Sequence, residues 1–367
     1  MLPTHTRRVV VKLGTGVLTQ GIGLLHRERV ETIASQIADY RAKGLEVIIV
    51  SSGAVGLGMG RLGLTKKPSR LTALQKCAAV GQSQLMETWQ QAFNPHKIIV
   101  GQLLLTRHDV TSRDRHLAAK ALLEELLSDG IIPVINENDS TTADELKFGD
   151  NDLLSAMVAT MVQADILIIL STATGLVNTL GDQQIIPIVD KVTAEIEELA
   201  RGTTDVTATG GMVTKLQAAR MATLSGCSVF IGSGESPDIL TALYAGKAIG
   251  TLFKPSETPM ISRKSWIAFF HKPNGKIIID AGASDALTCK GASLLSTGVT
   301  GTDGSFKRGD VVAIAKADGA VVAQGIVEFG SEDLQKIIGQ HSKMIQQMFP
   351  KQKKTEIVHR NSMVILD

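Results

Sequence analysis

Short apolar runs rich in Val, Ile and Leu alternate with amphipathic stretches as far as about residue 255. The runs are Arg8–Val11, Val47–Val50, Ile98–Val100 with Leu103–Leu105, Ile131–Ile135, Ile166–Leu170 and Val229–Ile231. Between them lie helical patterns over Arg27–Arg41, Leu71–Phe93, Arg115–Leu127, Leu153–Met161 and Thr214–Leu224. A strand without a polar face has no side to show to water. Such strands alternating with helices therefore predict a mostly parallel sheet covered on both faces. The expected fold is α/β, a three-layer αβα sandwich.

From about Lys254 the character changes. KPSETPMISRKSW reads as a connector. After Gly275 come short strand-like runs punctuated by Gly and Asp-Gly turns, with one helical pattern over Ser331–His341. The predicted division is a first domain over 1–258, a linker over 259–274, a small β-rich domain over 275–352 and a tail over 353–367.

Open parallel sheets hold ligands beyond the carboxyl ends of their strands. The polar motifs of this chain collect at that edge. Lys12 closes VVVK and is followed by Gly14-Thr15-Gly16. A lysine ending a buried strand is costly unless an anion meets it. Ser51, Ser52, Gly53 and Ala54 close the second run, where hydroxyls and free amides suit a carboxylate or phosphate, or simply cap a helix. Asn136, Glu137, Asn138 and Asp139 close the fourth. They suit an ammonium group such as that of an amino acid, or an Asx-rich turn.

Two further motifs stand nearer the helices. Asp150, Asn151 and Asp152 precede an apolar helix. Three such residues exceed what a cap requires, and a carboxylate fixed at Asp152 can hold two lysines at set positions. Asn151 suits a substrate carboxylate or amine. Lys215 follows Thr209-Gly210-Gly211-Met212-Val213-Thr214 at the start of another helix. A cation at the positive end of a helix dipole is disfavoured unless a polyphosphate binds there. The glycine segments match neither a P-loop nor a dinucleotide fingerprint. Two glycine-flanked lysines with carboxylates and amides between them point to phosphoryl transfer onto a small polar substrate.

Composition narrows the alternatives. Net charge is +2 and aromatics make up 4% of 367 residues, so neither a nucleic-acid nor a membrane surface is indicated. Cys77, Cys227 and Cys289 are too far apart for a disulfide framework or metal cluster, and fit reduced thiols in a cytoplasmic protein. The scattered His residues show no metal-ligand spacing. No leader peptide or membrane-length apolar run is read from the sequence.

VVKLGTGVL, IVSSGAVGLG, AAVGQSQLM, QLLLTR, PVINEND, KFGDNDLLSA, ATGGMVTK and TKLQAA, in that order, resemble the amino acid kinase family, in particular its glutamate-phosphorylating members. The stretch from about Gly275 resembles a PUA domain, a small β-rich pseudo-barrel. The resemblance implies ATP-dependent phosphorylation of the L-glutamate γ-carboxylate, with Mg²⁺ arriving on ATP. It implies that Lys12 and Lys215 stabilise the transferring phosphoryl group and that Asp152 orients them. By the same likeness Ser52, Asp139 and Asn151 bind glutamate with Asp150 nearby. Lys12, Ser171, Thr172, Thr209, Gly210, Gly211, Met212, Val213, Thr214 and Lys215 contact the nucleotide. Proline feedback inhibition and a homo-oligomer, tetramer or dimer, are family expectations.

One segment departs from the family pattern. Where Thr-Asp-x-x-Gly-Leu-Tyr and an Asp-Pro are usual, this chain has Ser171-Thr172-Ala173-Thr174-Gly175-Leu176-Val177-Asn178 and then Thr179-Leu180. That change and the PUA-like tail motivate an alternative, a regulatory or RNA-binding protein with an inactive kinase-like domain. Few aromatics and no dense basic stripe leave its RNA footprint weak. A kinase of the same fold acting on another acidic or carbamate-like substrate is the other alternative.

Overall fold

The apolar runs become the strands of one sheet. In the computed structural model residues 2–3, 5–141, 151–200, 211–259, 273–350, 352 and 354–366 are described. The chain divides into two units, Met1–Pro259 and Met260–Asp367. The strands of the first are β1 (Arg8–Leu13), β2 (Thr19–Gly21), β3 (Leu24–Leu25), β4 (Glu46–Ser51), β5 (Val100–Leu105), β6 (Ile132–Glu137), β7 (Ile166–Ser171), β8 (Ile188–Val189), β9 (Ser228–Ser233) and β10 (Gly250–Phe253). β2 and β3 form a small hairpin. The others make an eight-stranded sheet in the order β5-β6-β4-β1-β7-β9-β10-β8.

Neighbours from β5 to β9 are parallel, whereas β10 runs antiparallel to β9 and β8 parallel to β10. Strand order reverses at β1: β4 lies on one side and β7 on the other. Ligands in such sheets sit at this reversal. Lys12 is therefore in the crevice that the topology creates.

Side-chain alternation then decides which layer each residue meets. Val9, Val11 and Leu13 point into a core shared with Ile33, Ile37 and Tyr40 of helix Arg27–Ala42 and with Leu85, Trp89 and Phe93 of helix Leu71–Phe93. Lys12 is out of phase with them and points to the other layer. There helix Asn151–Met161 packs on β1, β4, β6 and β7, with helix Met212–Leu224 beside it. Helices on both faces of a mostly parallel sheet make this unit the expected αβα sandwich.

The second unit is built on β11 (Lys276–Ile279), β12 (Val299–Asp303), β13 (Val311–Lys316), β14 (Val321–Val327) and β15 (Val358–Ile365), in the order β12-β11-β13-β14-β15. The Asp318-Gly319 turn joins β13 to β14: Gly319 has φ of 88°, and Asp318 accepts a hydrogen bond from the Ala320 N–H at 2.9 Å. Ala281–Lys290 is a helix that the strand-and-turn reading of this region did not include. Asp280 caps it by accepting from the Ala283 N–H at 2.7 Å, and Gly291 ends it in the left-handed region. The stretch set apart as a tail contributes β15, which pairs with β14. Val358 and Met363 belong to this unit's core, and that burial holds the strand in the sheet. Among the described residues no helix is long and apolar enough to cross a membrane.

Candidate active site

Three charged side chains meet at the carboxyl edge of the sheet. Asp152 is the second residue of helix Asn151–Met161 and is fully buried. Its Oδ1 forms an ion pair with Lys12 Nζ, and its Oδ2 accepts from Lys215 Nζ at 3.1 Å. Lys12 is 3% and Lys215 5% exposed, so the cluster is shielded from water. Burial pushes the Asp152 carboxyl up, but the two ammonium groups pull harder and hold it below the usual carboxylate range. The two lysines thus come within joint reach of one anion although 203 residues separate them in sequence (215 − 12).

Lys215 sits in the opening turns of helix Met212–Leu224, whose N-cap is Gly211. Thr214 Oγ1 donates to the Gly211 carbonyl at 2.9 Å and lies 3.4 Å from Asp152 Oδ2. Both helices direct their amino ends, with free N–H groups and the positive end of the dipole, toward this edge. A carboxylate is favoured there, and so is a phosphate. Asp150, Thr209 and Gly210, three of the expected site residues, lie outside the described residues.

Ser52 is not a helix cap. Helix Ala54–Arg61 starts from Gly53, whose φ of 102° favours glycine, and no side chain caps it. Ser52 Oγ instead accepts from Asn151 Nδ2 at 2.8 Å. The same nitrogen donates to the Ser51 carbonyl at 3.2 Å and to Asn136 Oδ1 at 3.0 Å. One amide therefore ties together the ends of β4 and β6 and the start of helix Asn151–Met161. Asp139 lines a cavity of about 340 Å³ with Ala54, Gln82, Gln102, Glu137 and Asn138. Neither lysine is in its wall.

Ser171 ends β7, and its Oγ accepts from the Ala173 N–H at 3.1 Å. A Cβ at Gly16 would come within 2.9 Å of Thr172 Cγ2, so the glycine permits close packing of the first loop on this one. The segment Ser171–Asn178 is held without the family's aspartate. Leu176 N–H donates to Thr251 Oγ1 at 2.8 Å, and Val177 bridges to Ile185.

Asn136 belongs to the acidic and amide turn read from the sequence, whereas Gln82 and Gln102 are not marked there as site residues. Asn136 Nδ2 donates to Gln82 Oε1 at 2.9 Å, and Gln82 Nε2 to Gln102 Oε1 at 3.3 Å. The available signal was a polar residue on the buried stripe of an amphipathic helix: Ala78, Gly81, Gln82, Leu85 and Trp89 share that face.

Residues 7–233 match the amino acid kinase family. The chain belongs to that family. Residues 275–349 match the PUA domain. Among family members, a glutamate 5-kinase of Geobacter sulfurreducens is 42% identical over 99% of this chain and 98% of its own length. One from Dehalococcoides mccartyi is 43% identical over 98% of each. Carbamate kinase from Giardia lamblia bound to AMP-PNP is similar in fold, with a TM-score of 0.51 at 20% identity, over 69% of this chain and 99% of that one. The family's sheet and helices are thus present here around Lys12, Asp152 and Lys215.

Proposed function

We infer that this chain transfers the γ-phosphoryl group of ATP to the γ-carboxylate of L-glutamate, giving L-glutamyl 5-phosphate, the first step of proline biosynthesis. Near-full-length likeness to glutamate 5-kinases supports the substrate. The convergence of Lys12 and Lys215 on Asp152 carries the chemistry. It also leaves little room for the alternative of an inactive kinase-like domain, because charges buried in this way fit a working centre.

A γ-carboxylate oxygen attacks the γ-phosphorus, one O–P bond forms and the bond to the β-phosphate oxygen breaks. The glutamate carboxylate has a reference pKa of about 4.3 and is already ionised near neutral pH, so no proton has to move. The obstacle is repulsion between two anions. Lys12 and Lys215 offset it by stabilising charge on the equatorial oxygens of the migrating group. Asp152 orients both ammonium groups, and the two helix amino ends add oriented N–H groups.

In this reading Ser52, Asp139 and Asn151, with Asp150 nearby, bind glutamate. Ser171, Thr172 and Thr209 to Thr214 hold the nucleotide beside the two lysines. Both Asp152 oxygens face lysines, so this carboxylate serves to hold the two ammonium groups. Mg²⁺ carried by ATP would supply further charge neutralisation at the phosphates. A homo-oligomer, dimer or tetramer, inhibited by proline and working in the cytoplasm, completes the proposal.

A coupled ADP-release assay with L-glutamate, L-aspartate, N-acetyl-L-glutamate and carbamate, with hydroxylamine present to trap an acyl phosphate, tests it. ADP release and hydroxamate with L-glutamate alone are expected. Turnover of another substrate with none of glutamate overturns the reading.

A further inference from the structure

Asn136 stands one residue before the end of β6. Its side chain points to the face that helix Leu71–Phe93 covers, in phase with Ile132 and Val134. It is 2% exposed. Its Oδ1 accepts from the Glu137 backbone N–H at 2.9 Å and from Asn151 Nδ2, while its Nδ2 donates to Gln82 Oε1.

A side-chain amide offers donors at one end and an acceptor at the other, so a chain of them has a direction. A backbone N–H can only donate. That of Glu137 therefore fixes the Asn136 oxygen on its own side and turns the Asn136 nitrogen toward Gln82. Asn151 must then present its nitrogen to Asn136, as it does, and to the Ser51 carbonyl and Ser52 Oγ. Its oxygen is turned the other way. Asn151 Oδ1 is buried and meets no hydrogen-bond donor among the described residues. A buried acceptor in that state costs about 1–3 kcal/mol, which a ligand carrying an N–H group recovers.

We propose that Gln82, acting through Asn136, is a positioning residue that holds the Asn151 amide with its oxygen presented to the substrate's α-ammonium group. The inference rests on the glutamate reading above. Gln82 also stands in the wall of the cavity that Asp139 lines, so the same side chain borders that space and bonds the Asn136 amide. The arrangement selects for an amino acid over the corresponding dicarboxylate that lacks nitrogen.

The test compares the full-length wild type with Gln82→Met, which removes the acceptor at similar volume, and Gln82→Asn, which stays polar but withdraws it by one methylene. ADP release is followed with L-glutamate and with glutarate. In both variants the KM for glutamate rises about tenfold, the KM for ATP stays, and kcat changes by less than about threefold. The preference for glutamate over glutarate in kcat/KM falls about tenfold. A purely structural role would lower kcat and melting temperature together, leaving KM and that preference in place, and this result overturns the proposal. Should the Met variant not fold, the Asn variant decides by the same readout. A wild type that does not turn over glutamate overturns the functional reading itself, before any variant is compared.

Discussion

The two ends of β1 carry opposite solutions to a charged residue in a sheet. At the amino end, Arg8 pairs with Glu46 and Glu124 at 2.7 Å each, and Arg7 adds a contact to Glu46 at 2.8 Å. Asp165 accepts from the backbone N–H groups of Arg7 and Arg8. Carboxylates are plentiful there, the geometry is bidentate, and the side chains are partly open to water. Four residues further along the same strand, Lys12 lies deeper, and two ammonium groups share one carboxylate. The first cluster pairs its charges with one another and ties down chain. The second concentrates positive charge at the strand-order reversal, beside two helix amino ends, and suits an incoming polyanion. Position in the sheet separates the two roles more sharply than residue type does.

The largest expected difference is in turnover. Lys12→Ala or Lys215→Ala should lower kcat by about 10³-fold or more, as loss of transition-state contacts does. Arg8→Ala should leave kcat within about twofold, since it touches nothing at the carboxyl edge. Steady-state ADP release measures both, and an Arg8 variant as inactive as the lysine variants would erase the contrast.

Stability should separate the ends next. Asp152→Asn leaves two buried ammonium groups at a neutral amide and should cost about 3–5 kcal/mol, the scale for breaking a buried pair. Arg8→Ala should cost about 1.5–3 kcal/mol, the scale for charged hydrogen bonds. Denaturant unfolding of each variant gives the values. A loss below about 1 kcal/mol for Asp152→Asn would mean that the carboxylate does not hold the lysines.

Acid titration gives the smallest effect. Burial raises Asp152 and Glu46, yet lysines in one case and arginines in the other bring both below the ordinary carboxylate range. A carboxyl lowered on folding stabilises above its unfolded value, about 4, and that contribution goes as pH falls through the lower folded value. The melting temperature should therefore stay level from about pH 7 to 5 and drop below about 4. The drop should be shallower in Asp152→Asn. An identical acid limb in that variant would show that the site carboxyl contributes nothing to it.

Much of this architecture is legible in the sequence. Unbroken apolar runs mark the parallel core of the sheet, the motifs at their carboxyl ends mark Lys12, Ser52 and Asp139, and the motifs at two helix starts mark Asn151, Asp152 and Lys215. The meeting of Lys12, Asp152 and Lys215 requires parallel strands and two helices packed side by side on the face to which Lys12 points. What sequence left unread depends on pairing through space or on weak periodicity. Gln82 and Asn136 are 54 residues apart, and no local pattern announces their hydrogen bond. Helix Ala281–Lys290 buries only Ser284 and Leu287, so no apolar stripe marked it, and its Asp280 cap was the signal to weigh. β10 spans Gly250–Phe253 and β8 only Ile188–Val189, too short to show a period. β15 is held by partners in β14, which a reading of residues 353–367 alone does not supply.

The proposed joint action of Lys12 and Lys215 on one phosphoryl group is measured most directly by a double-mutant cycle. With kcat for trapped γ-glutamyl hydroxamate as readout, the Lys12→Ala/Lys215→Ala protein should lie within about tenfold of the worse single variant, because residues that act as a unit are strongly non-additive. Losses that multiply, about 10³ and 10³ giving about 10⁶, would show two lysines working independently and would contradict the account.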